Sequence, residues 1–351
     1  MSKDQNPVFL VTGATGFVGS AVVRRLRERR AEIRCMVRSE TRSERRPWLE
    51  PPVTCVTGSL EEPESLSRAM QGCDVLINCL GLNSFWERDR RAYRTTNVEG
   101  TAALMRAALE AGVAKVVHVS TVMAYGFPAV MPFQVDSQPG PHMSEYARSK
   151  HKGDCRAVEL HKNHGLPLVM VFLAAVVGRG DPKSVMQIRK FVEGGVPVMI
   201  RSPNRFTYVD IGDAATAIVG AAAKDGNIGE RYLVGGERLT TEEYFRIISK
   251  ASGVPMPKAF LGRTPALALS ALLTAGAAIM RRPPLMPFDL IRTVFHGPLV
   301  FDGSRAAREL GFTYRPISDS LADAVAEMRE GQLHAKFSRG KGRGGRSEDS
   351  L

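Results

Sequence analysis

Short apolar runs alternate with amphipathic stretches along the first 175 residues of the chain. The runs have the length and the Val, Ile and Leu content of buried strands, and the intervening stretches carry apolar residues at helical spacing. Several of these stretches end in Gly, as helix C-termini prefer. The alternation predicts an α/β fold, a doubly wound parallel sheet with helices on both faces. The predicted strands are 7–13, 33–38, 53–58, 74–81, 115–121 and 166–177.

Longer loops replace this rhythm after about Gly178. We therefore expect a dinucleotide-binding core with the catalytic residues at 1–177. A smaller, mainly substrate-binding region is expected at 178–330, with some segments, about 205–235, returning to the core. The Gly- and Arg-rich segment 331–351 is expected to be a disordered basic tail, because it lacks apolar periodicity.

The segment 264–280 contains no charged residue, and Arg263, Arg281 and Arg282 flank it. Its Ala and Gly content makes it only mildly apolar, and 17 residues is the lower limit for a bilayer span. The pattern favours a helix packed in the second region. A helix at a membrane interface or beside an apolar substrate entrance is the next interpretation, and a membrane span is the third.

The net charge is +12 and the pI is about 9.7, which raises the question of nucleic acid. Much of the excess lies between Arg24 and Arg46 and at 336–346, and no nucleic-acid-binding motif accompanies it. We expect no nucleic-acid partner. The five Cys residues are scattered without metal-ligand spacing, so no metal site is predicted and a reducing compartment is favoured. The N-terminal residues lack the pattern of a secretory signal, so a cytoplasmic, possibly membrane-associated enzyme is expected.

The stretch VTGATGFVG places three glycines between the first predicted strand and the first predicted helix. Gly13 permits a tight turn, Gly16 lets the backbone approach a pyrophosphate, and Gly19 allows close packing of helix and strand. The N-terminus of the helix then faces the negative charge. Because the motif follows a strand and opens a helix, it predicts a dinucleotide site. Its remaining predicted cofactor contacts are Thr15, Phe17 and Val18.

The spacing G-x-x-G-x-x-G, together with YARSK at 146–150, resembles the extended short-chain dehydrogenases/reductases of the epimerase/dehydratase superfamily. The resemblance runs from about residue 7 to about 330 and implies a Rossmann-type fold. It also includes TNVEGT at 96–101, HVSTVMAYG at 118–126 and RFTYVDIGDAA at 205–215. The branches that it resembles most are the 3β-hydroxysteroid dehydrogenases, the dihydroflavonol reductases and the hopanoid-associated sugar epimerases.

In that family a Ser or Thr, a Tyr and a Lys act together, which implies Thr121, Tyr146 and Lys150 here. On a helix, Tyr146 and Lys150 lie on one face. A free Tyr has a pKa near 10. A nearby ammonium is expected to lower that pKa, so that Tyr146 can exchange a proton near neutral pH. Thr121 would hold the substrate oxygen. A surface pair without catalytic role is the alternative.

The second predicted strand ends at Arg38, where an acidic residue would read the ribose hydroxyl of NAD. The guanidinium suits a 2′-phosphate, so NADP is predicted as the preferred cofactor over NAD. The usual family Asp after the third strand is Ser59 here, which alters the expected contact to adenine. The other positions that the resemblance implies for the cofactor are Leu60, Leu80, Gly81, Leu173 and Val176.

The substrate is expected to be bulky and apolar, as in steroid, terpenoid or flavonoid metabolism. Aromatic residues near the predicted active hydroxyl favour it, as does Ala175, where several sugar-nucleotide enzymes carry Asn. The substrate positions are Asn83, Phe85, Trp86, Met123 and Phe127, and supporting aromatic residues are Tyr125, Phe133 and Phe172. For each aromatic residue taken singly, ordinary core packing is the favoured interpretation. A sugar-nucleotide epimerase or dehydratase with tightly held NAD(P) is the alternative, and a catalytically silent NADP-binding regulator is a minor one. A homodimer and peripheral membrane contact through 264–280 stay open.

Overall fold

The computed structural model describes residues 6–38, 46–194 and 198–341. Within these residues, seven parallel strands form the central sheet in the order β10-β6-β5-β4-β1-β2-β3. Helices cover both faces, so the predicted doubly wound α/β fold is confirmed. The strands are β1 Val8–Thr12, β2 Glu32–Val37, β3 Thr54–Thr57, β4 Val75–Asn78, β5 Lys115–Thr121, β6 Leu168–Leu173, β7 Ala175–Val177, β8 Val198–Ile200, β9 Phe206–Asp210, β10 Arg231–Val234, β11 Glu237–Leu239 and β12 Ala259–Leu261.

The helices of the core pack their apolar faces on this sheet, and α1 and α7 contact each other on one side of it. A short 3-10 turn, Pro47–Leu49, follows β2, and a second one, Val122–Tyr125, follows β5. A π-helical turn, Arg94–Glu99, joins α3 to α4. The helices are α1 Phe17–Glu28, α2 Pro63–Met70, α3 Arg91–Tyr93, α4 Gly100–Glu110, α5 Glu145–His164, α6 Pro182–Val192, α7 Ile211–Ala223, α8 Thr241–Ser252, α9 Arg263–Met280, α10 Phe288–His296, α11 Ser304–Leu310 and α12 Ile317–Lys341.

The apolar run predicted as one strand at 166–177 forms two strands that belong to different sheets. β6 pairs with β5 and β10 in the central sheet, whereas β7 pairs with β9 in a three-stranded sheet. Between them, the Ala174 amide donates to the Val234 carbonyl at 2.9 Å. The split carries the chain out of the core, because β7 leaves the plane of the central sheet.

The region after β7 has two small apolar cores of its own. One joins α6, α8 and α12 through residues such as Ile188, Ile248 and Leu321. The other, between α9 and α10, consists of Ala266, Ile291 and Phe295. α12 continues to Lys341, so the first eleven residues of the predicted disordered tail are helical, and 342–351 lie outside the described residues.

The uncharged segment 264–280 forms α9, which is long and apolar enough to cross a membrane by length and composition. Its packing differs from that of a core helix, because only Ala266, Ser270 and Ala277 are buried. The favoured sequence interpretation, a helix packed in the second region, therefore describes only the side of α9 that contacts α10.

Candidate active site

The glycine loop between β1 and α1 has room for backbone only. Gly13 has a φ of +69°, and a Cβ there would lie 2.7 Å from the Cys79 carbonyl oxygen. A Cβ at Gly19 would lie 2.2 Å from the Gly13 oxygen. Gly16 is the exposed N-cap of α1 and supplies no capping side chain, so the first amides of the helix face outward without a side-chain acceptor. This cradle fits a pyrophosphate, as the sequence predicts.

Arg24, Arg46 and Trp48 lie around this loop, although no sequence motif placed them there. The Trp48 Nε1 donates to the Ala14 carbonyl at 3.1 Å. The Arg46 guanidinium donates to the Thr15 carbonyl. Arg24 and Arg46 both lie over the Trp48 ring, at 5.1 and 5.6 Å from its centroid. These contacts pin the loop and place two positive charges beside it. The signal in the sequence was the Arg-rich stretch between Arg24 and Arg46 itself.

The structure brings Thr121, Tyr146 and Lys150 together. Thr121 ends β5, and the other two lie one turn apart on α5, which Ser144 caps by accepting from the Ala147 amide. Tyr146 and Lys150 are buried, and the Tyr146 phenol hydrogen bonds with Thr121. The Lys150 Nζ donates to the Val119 carbonyl at 3.2 Å. The hydroxyl, the phenol and the ammonium thus converge at the carboxyl edge of the sheet.

The electrostatics of this group differ from the sequence expectation. Burial raises the pKa of Tyr146 to about 12, and the hydrogen bond with Thr121 only partly opposes it. Burial also lowers the pKa of Lys150, while the Asp154 carboxylate opposes that shift. The expected lowering of the Tyr146 pKa by the ammonium is therefore wrong for this structure, because burial of the phenolate and the Asp154 carboxylate both raise that pKa.

A buried polar network runs beneath this group from the glycine loop to α5. The Thr12 hydroxyl donates to Asn78 Oδ1 at 2.7 Å, and Asn78 Nδ2 lies 3.1 Å from His118 Nδ1. His118 Nε2 lies 3.0 Å from Asp154 Oδ1, and the Ser120 hydroxyl donates to Asp154 Oδ2 at 2.6 Å. With Asn78 donating to Nδ1, a neutral His118 donates from Nε2, so each buried polar atom has a partner. Burial lowers the pKa of His118, which favours that neutral form.

Asn97 in the π-helical turn fastens the loop after β4 to the Tyr–Lys helix. Its Oδ1 accepts from the Leu82 amide at 2.8 Å, and its Nδ2 donates to the Leu82 carbonyl and to Ser149 Oγ, at 3.1 and 2.9 Å. A Cβ at Gly153 would lie 2.1 Å from the Asn97 carbonyl oxygen. A glycine at position 153 therefore lets α5 approach the turn closely. A π-turn at this position is typical of functional sites.

Most of the other predicted cofactor positions lie at the carboxyl ends of the central strands or at the start of α1, whereas Val176 lies in the three-stranded sheet. Arg38 is exposed directly after β2. The Ser59 hydroxyl accepts from the Glu61 amide at 3.2 Å, and Leu60 packs on Gly100. Gly81 lies beside Asn97 Oδ1 and Lys150 Nζ. Phe17 and Val18 open α1, Leu80 follows β4, Leu173 ends β6, and Val176 lies in β7.

Of the predicted substrate positions, Phe85 and Phe127 make aromatic contacts, and Asn83, Trp86 and Met123 are partly or fully exposed. Phe85 lies against the Tyr146 ring, with centroids 5.9 Å apart and planes at 64°. The ring of Phe127 packs on that of His296 of α10, with centroids 4.6 Å apart. Asn83 is exposed, and Trp86 and Met123 are half-buried.

The supporting aromatic residues Tyr125, Phe133 and Phe172 belong instead to the core. Tyr125 packs on both phenylalanines with centroids 5.0 Å apart, and all three residues are buried. Core packing, the favoured interpretation for each of them singly, therefore holds, and they do not support a substrate pocket. The 3-10 turn after β5 points Tyr125 inward, where its hydroxyl donates to the Val135 carbonyl.

Comparison with known proteins agrees with this architecture. The sequence model of the NAD dependent epimerase/dehydratase family matches residues 9–235, which include the glycine loop, the Tyr–Lys helix and β10. The chain belongs to this family. The predicted membership of the extended short-chain dehydrogenases/reductases is confirmed, and the protein is an NAD(P)-dependent enzyme of that type.

Relatives of this family member match nearly its whole length. It is 32% identical over 343 residues to sterol demethylase protein B of Methylococcus capsulatus, covering 92% of this chain and 98% of the relative. It is 28% identical over 326 residues to a putative dihydroflavonol 4-reductase of Synechocystis, covering 90% and 93%. The crystal structure of gox2253 superposes with a TM-score of 0.76 at 30% identity, covering 93% and 99%.

Proposed function

We propose that this family member interconverts a ketone and an alcohol on a bulky, largely apolar substrate, with Tyr146 as the acid and base. The position of Phe85 carries the proposal, because its ring packs edge-on against the Tyr146 ring. An apolar wall therefore borders the phenol that would meet the reacting oxygen. The names of relatives support the same class: one is a sterol demethylase protein, and another, 28% identical over 326 residues, is a ceramide reductase of Caulobacter vibrioides.

The residues of the site divide the work of proton transfer. The nicotinamide cofactor supplies or accepts the hydride when it is bound. Tyr146, whose pKa burial raises to about 12, is a neutral phenol at neutral pH and donates a proton to a carbonyl oxygen. Thr121 orients that phenol through their hydrogen bond. Lys150 has three N–H donors and gives one to Val119, so it retains donors for a ribose hydroxyl. A protonated Tyr146 favours reduction over oxidation at neutral pH.

The charge beside the glycine loop supports NADP as the preferred cofactor. Arg38 follows β2 at the carboxyl edge of the sheet, and Arg24 and Arg46 flank the loop at Trp48. An additional phosphate on the adenosine gains more from this positive field than a ribose hydroxyl does. Arg38 alone of the three stands where an acidic residue would select NAD.

Two arginines of the second region, Arg201 and Arg205, offer no free charge to a nucleotide-sugar substrate. Arg201 pairs with Glu242 at 2.9 Å, and Arg205 pairs with Glu243 at 2.8 Å. A diphosphate needs cations that are not already neutralised. We therefore place the sugar-nucleotide epimerase or dehydratase second.

A substrate panel tests the reaction. The protein is mixed with NADPH and steroid, long-chain and flavonoid ketones, and separately with UDP-sugars, while the absorbance of reduced nicotinamide and the products are followed. Consumption of NADPH in proportion to alcohol formed from an apolar ketone is expected. Conversion of a UDP-sugar without net cofactor change would support the epimerase instead. Cofactor binding without turnover of any panel member would indicate a silent binder.

A binding titration tests the cofactor preference. NADPH should bind more tightly than NADH. Arg38→Ala should weaken NADPH binding by roughly 10- to 150-fold, the loss of one charge-assisted contact, and leave NADH binding nearly unchanged. Arg308→Ala, which removes an exposed arginine of α11, is the control. Equal dissociation constants for the two cofactors in the unmutated protein would overturn the preference.

A further inference from the structure

We propose that the outer face of α9 and the turn that follows it form a docking surface for an anionic lipid bilayer. This surface comprises Leu269, Leu272, Ile279, Met280 and Leu285, and we call it the α9 face. The inference goes beyond the proposed reaction and holds whatever the substrate is.

The α9 face is a continuous apolar stripe. Residues 269, 272, 279 and 280 repeat at intervals of three, seven and eight along the helix, so their side chains share one side of it. Leu272 is 72% exposed and Ile279 is 84% exposed. Ala266, Ser270 and Ala277 form the opposite, buried side. A helix that is apolar on every side is normally enclosed, yet here one side lacks cover within the described residues.

The charged residues that neighbour this stripe along the chain all carry a positive charge. Residues 244–288 contain no Asp or Glu. Arg263 begins α9, Arg281 and Arg282 follow its last residue, and all three are exposed. Apolar side chains bordered by arginines suit lipid headgroups of negative charge, to which each Arg adds binding strength.

A bilayer fits this surface better than a second copy of the chain does. Two copies related by a two-fold axis would bring α9 against α9, and an antiparallel contact would set Arg263 against Arg281 and Arg282. Like charges opposed in that way disfavour association. An anionic bilayer instead neutralises both ends of the helix at once.

The helix lies on the bilayer and does not cross it. Eighteen residues of α-helix extend about 27 Å, near the lower limit for a span, so the length of α9 does not decide the question and its packing does. The inner side of α9 is fixed on α10 through the cluster of Ala266, Ile291 and Phe295. The Phe288 amide also donates to Thr274 Oγ1 at 3.0 Å. Crossing would require these contacts to break, so only the outer stripe enters the interface.

The α9 face is connected to the active site through α10. Asp289 of α10 accepts from the Glu145 amide at 3.1 Å, next to Tyr146 in sequence. Arg292 donates to the Met143 carbonyl at 2.9 Å, and His296 contacts Phe127. Docking through α9 would thus hold the Tyr146 end of the enzyme near the membrane. Delivery of an apolar ketone from the bilayer by this route rests on the proposed function.

Vesicle flotation with the full chain tests the docking without cofactor or substrate. Binding is expected to vesicles of mixed phosphatidylcholine and phosphatidylglycerol, to weaken with added salt, and to be low on phosphatidylcholine alone. The double variant Arg281→Ala/Arg282→Ala should bind roughly 30-fold more weakly. Leu272→Gln/Ile279→Gln should also lose most binding, because it removes the apolar contacts.

Two matched proteins keep the result specific. Arg305→Ala/Arg308→Ala removes the same charge from α11 and should float as the unmutated chain does. A chain ended after Lys341 lacks the last basic residues and should also float normally. Loss of flotation in either one, or no vesicle binding by any protein, would overturn the α9 face. A dimer of the unmutated chain in sedimentation, which the double variant Leu272→Gln/Ile279→Gln dissociates, would also overturn the proposal. Turnover of a short water-soluble ketone should not change in the α9 variants, which separates this test from the test of the reaction.

Discussion

The region beneath the Tyr146 helix buries polar side chains, whereas the outer face of α9 exposes apolar ones. Beneath α5, the side chains of Thr12, Asn78, His118, Ser120 and Asp154 are buried, and each finds a hydrogen-bonding partner. On α9, large apolar side chains face outward. Burial of unpaired polar groups and exposure of apolar stripes both cost free energy.

The difference shows how each region is held. The network is complete within the fold, so it fixes the position of α5 and of the groups on it. The apolar side chains of the α9 face can be covered only by a surface outside the described fold. A substitution beneath α5 should therefore alter stability and rate together, whereas replacing an exposed apolar side chain of the α9 face by a polar one should alter neither.

Tyr146→Phe should lower kcat by roughly 10²–10⁴-fold, because it removes the proton that the reaction moves. Cofactor binding, followed by fluorescence, should persist. Tyr125→Phe is the matched control, since its buried phenol donates to the Val135 carbonyl and has no proposed part in the reaction. It should cost about 0.5–1.5 kcal/mol of stability and little turnover. If the Tyr146→Phe enzyme kept most of its activity, a group other than Tyr146 would be the acid and base.

Asp154→Asn should change the pH dependence of the reaction. The Asp154 carboxylate raises the pKa of Lys150 against the effect of burial, so its removal lowers that pKa further. The ammonium is present below its pKa and is lost as pH rises. The alkaline fall in kcat/KM should therefore begin at a lower pH in the variant. Stability should fall by about 1.5–3 kcal/mol, because the charged acceptor of the network is gone.

Ser120→Ala is the comparison for Asp154→Asn. It removes one donor to the carboxylate but keeps the charge, so the alkaline fall should stay close to that of the unmutated enzyme. If both variants moved the fall equally, hydrogen bonding rather than charge would set the state of Lys150.

The same contrast explains what the sequence could predict. Gly13, Gly16 and Gly19 at fixed spacing, and Tyr146 and Lys150 one turn apart, are local patterns whose geometry follows from a strand–turn–helix and from one helix. Strand alternation predicted the parallel sheet for a similar reason. Each of these features depends on neighbours in the chain.

Features that depend on residues far apart in the sequence were not predicted. The raised pKa of Tyr146 reflects burial by several elements, which residue spacing does not reveal. Trp48 touches Ala14 across 34 positions, so nothing local linked it to the glycine loop. Tyr125 and Phe172 looked like pocket walls, but β5 and β6 place them together in the core. The run at 264–280 was recognised, but its exposed side was not predicted, since apolar residues lie all around the helix.

Two glycine substitutions should move stability in opposite directions. Gly153→Ala places a Cβ 2.1 Å from the Asn97 carbonyl oxygen, so α5 must shift, and a loss of about 1–3 kcal/mol is expected. At Gly276 of α9 the nearest neighbouring atom would be Met280 Cε at 3.8 Å, an ordinary contact. Gly276→Ala should gain about 0.5–1 kcal/mol from helix propensity. Urea unfolding of both variants measures the pair, and a loss at both positions would mean that the outer part of α9 is also tightly packed.

Leu272→Gln should have the smallest effect, within about 0.5 kcal/mol in the free energy of unfolding. The side chain is 72% exposed, so little apolar contact is lost when it becomes polar. Leu104→Ala in the buried side of α4 is the reference, and a loss of about 2–5 kcal/mol is expected there. Unfolding should be measured at two protein concentrations. If the free energy of unfolding of the unmutated chain fell on dilution, and Leu272→Gln removed that dependence, α9 would be covered by a second copy of the chain in solution. Equal stability at both concentrations leaves the stripe available for a surface outside the protein.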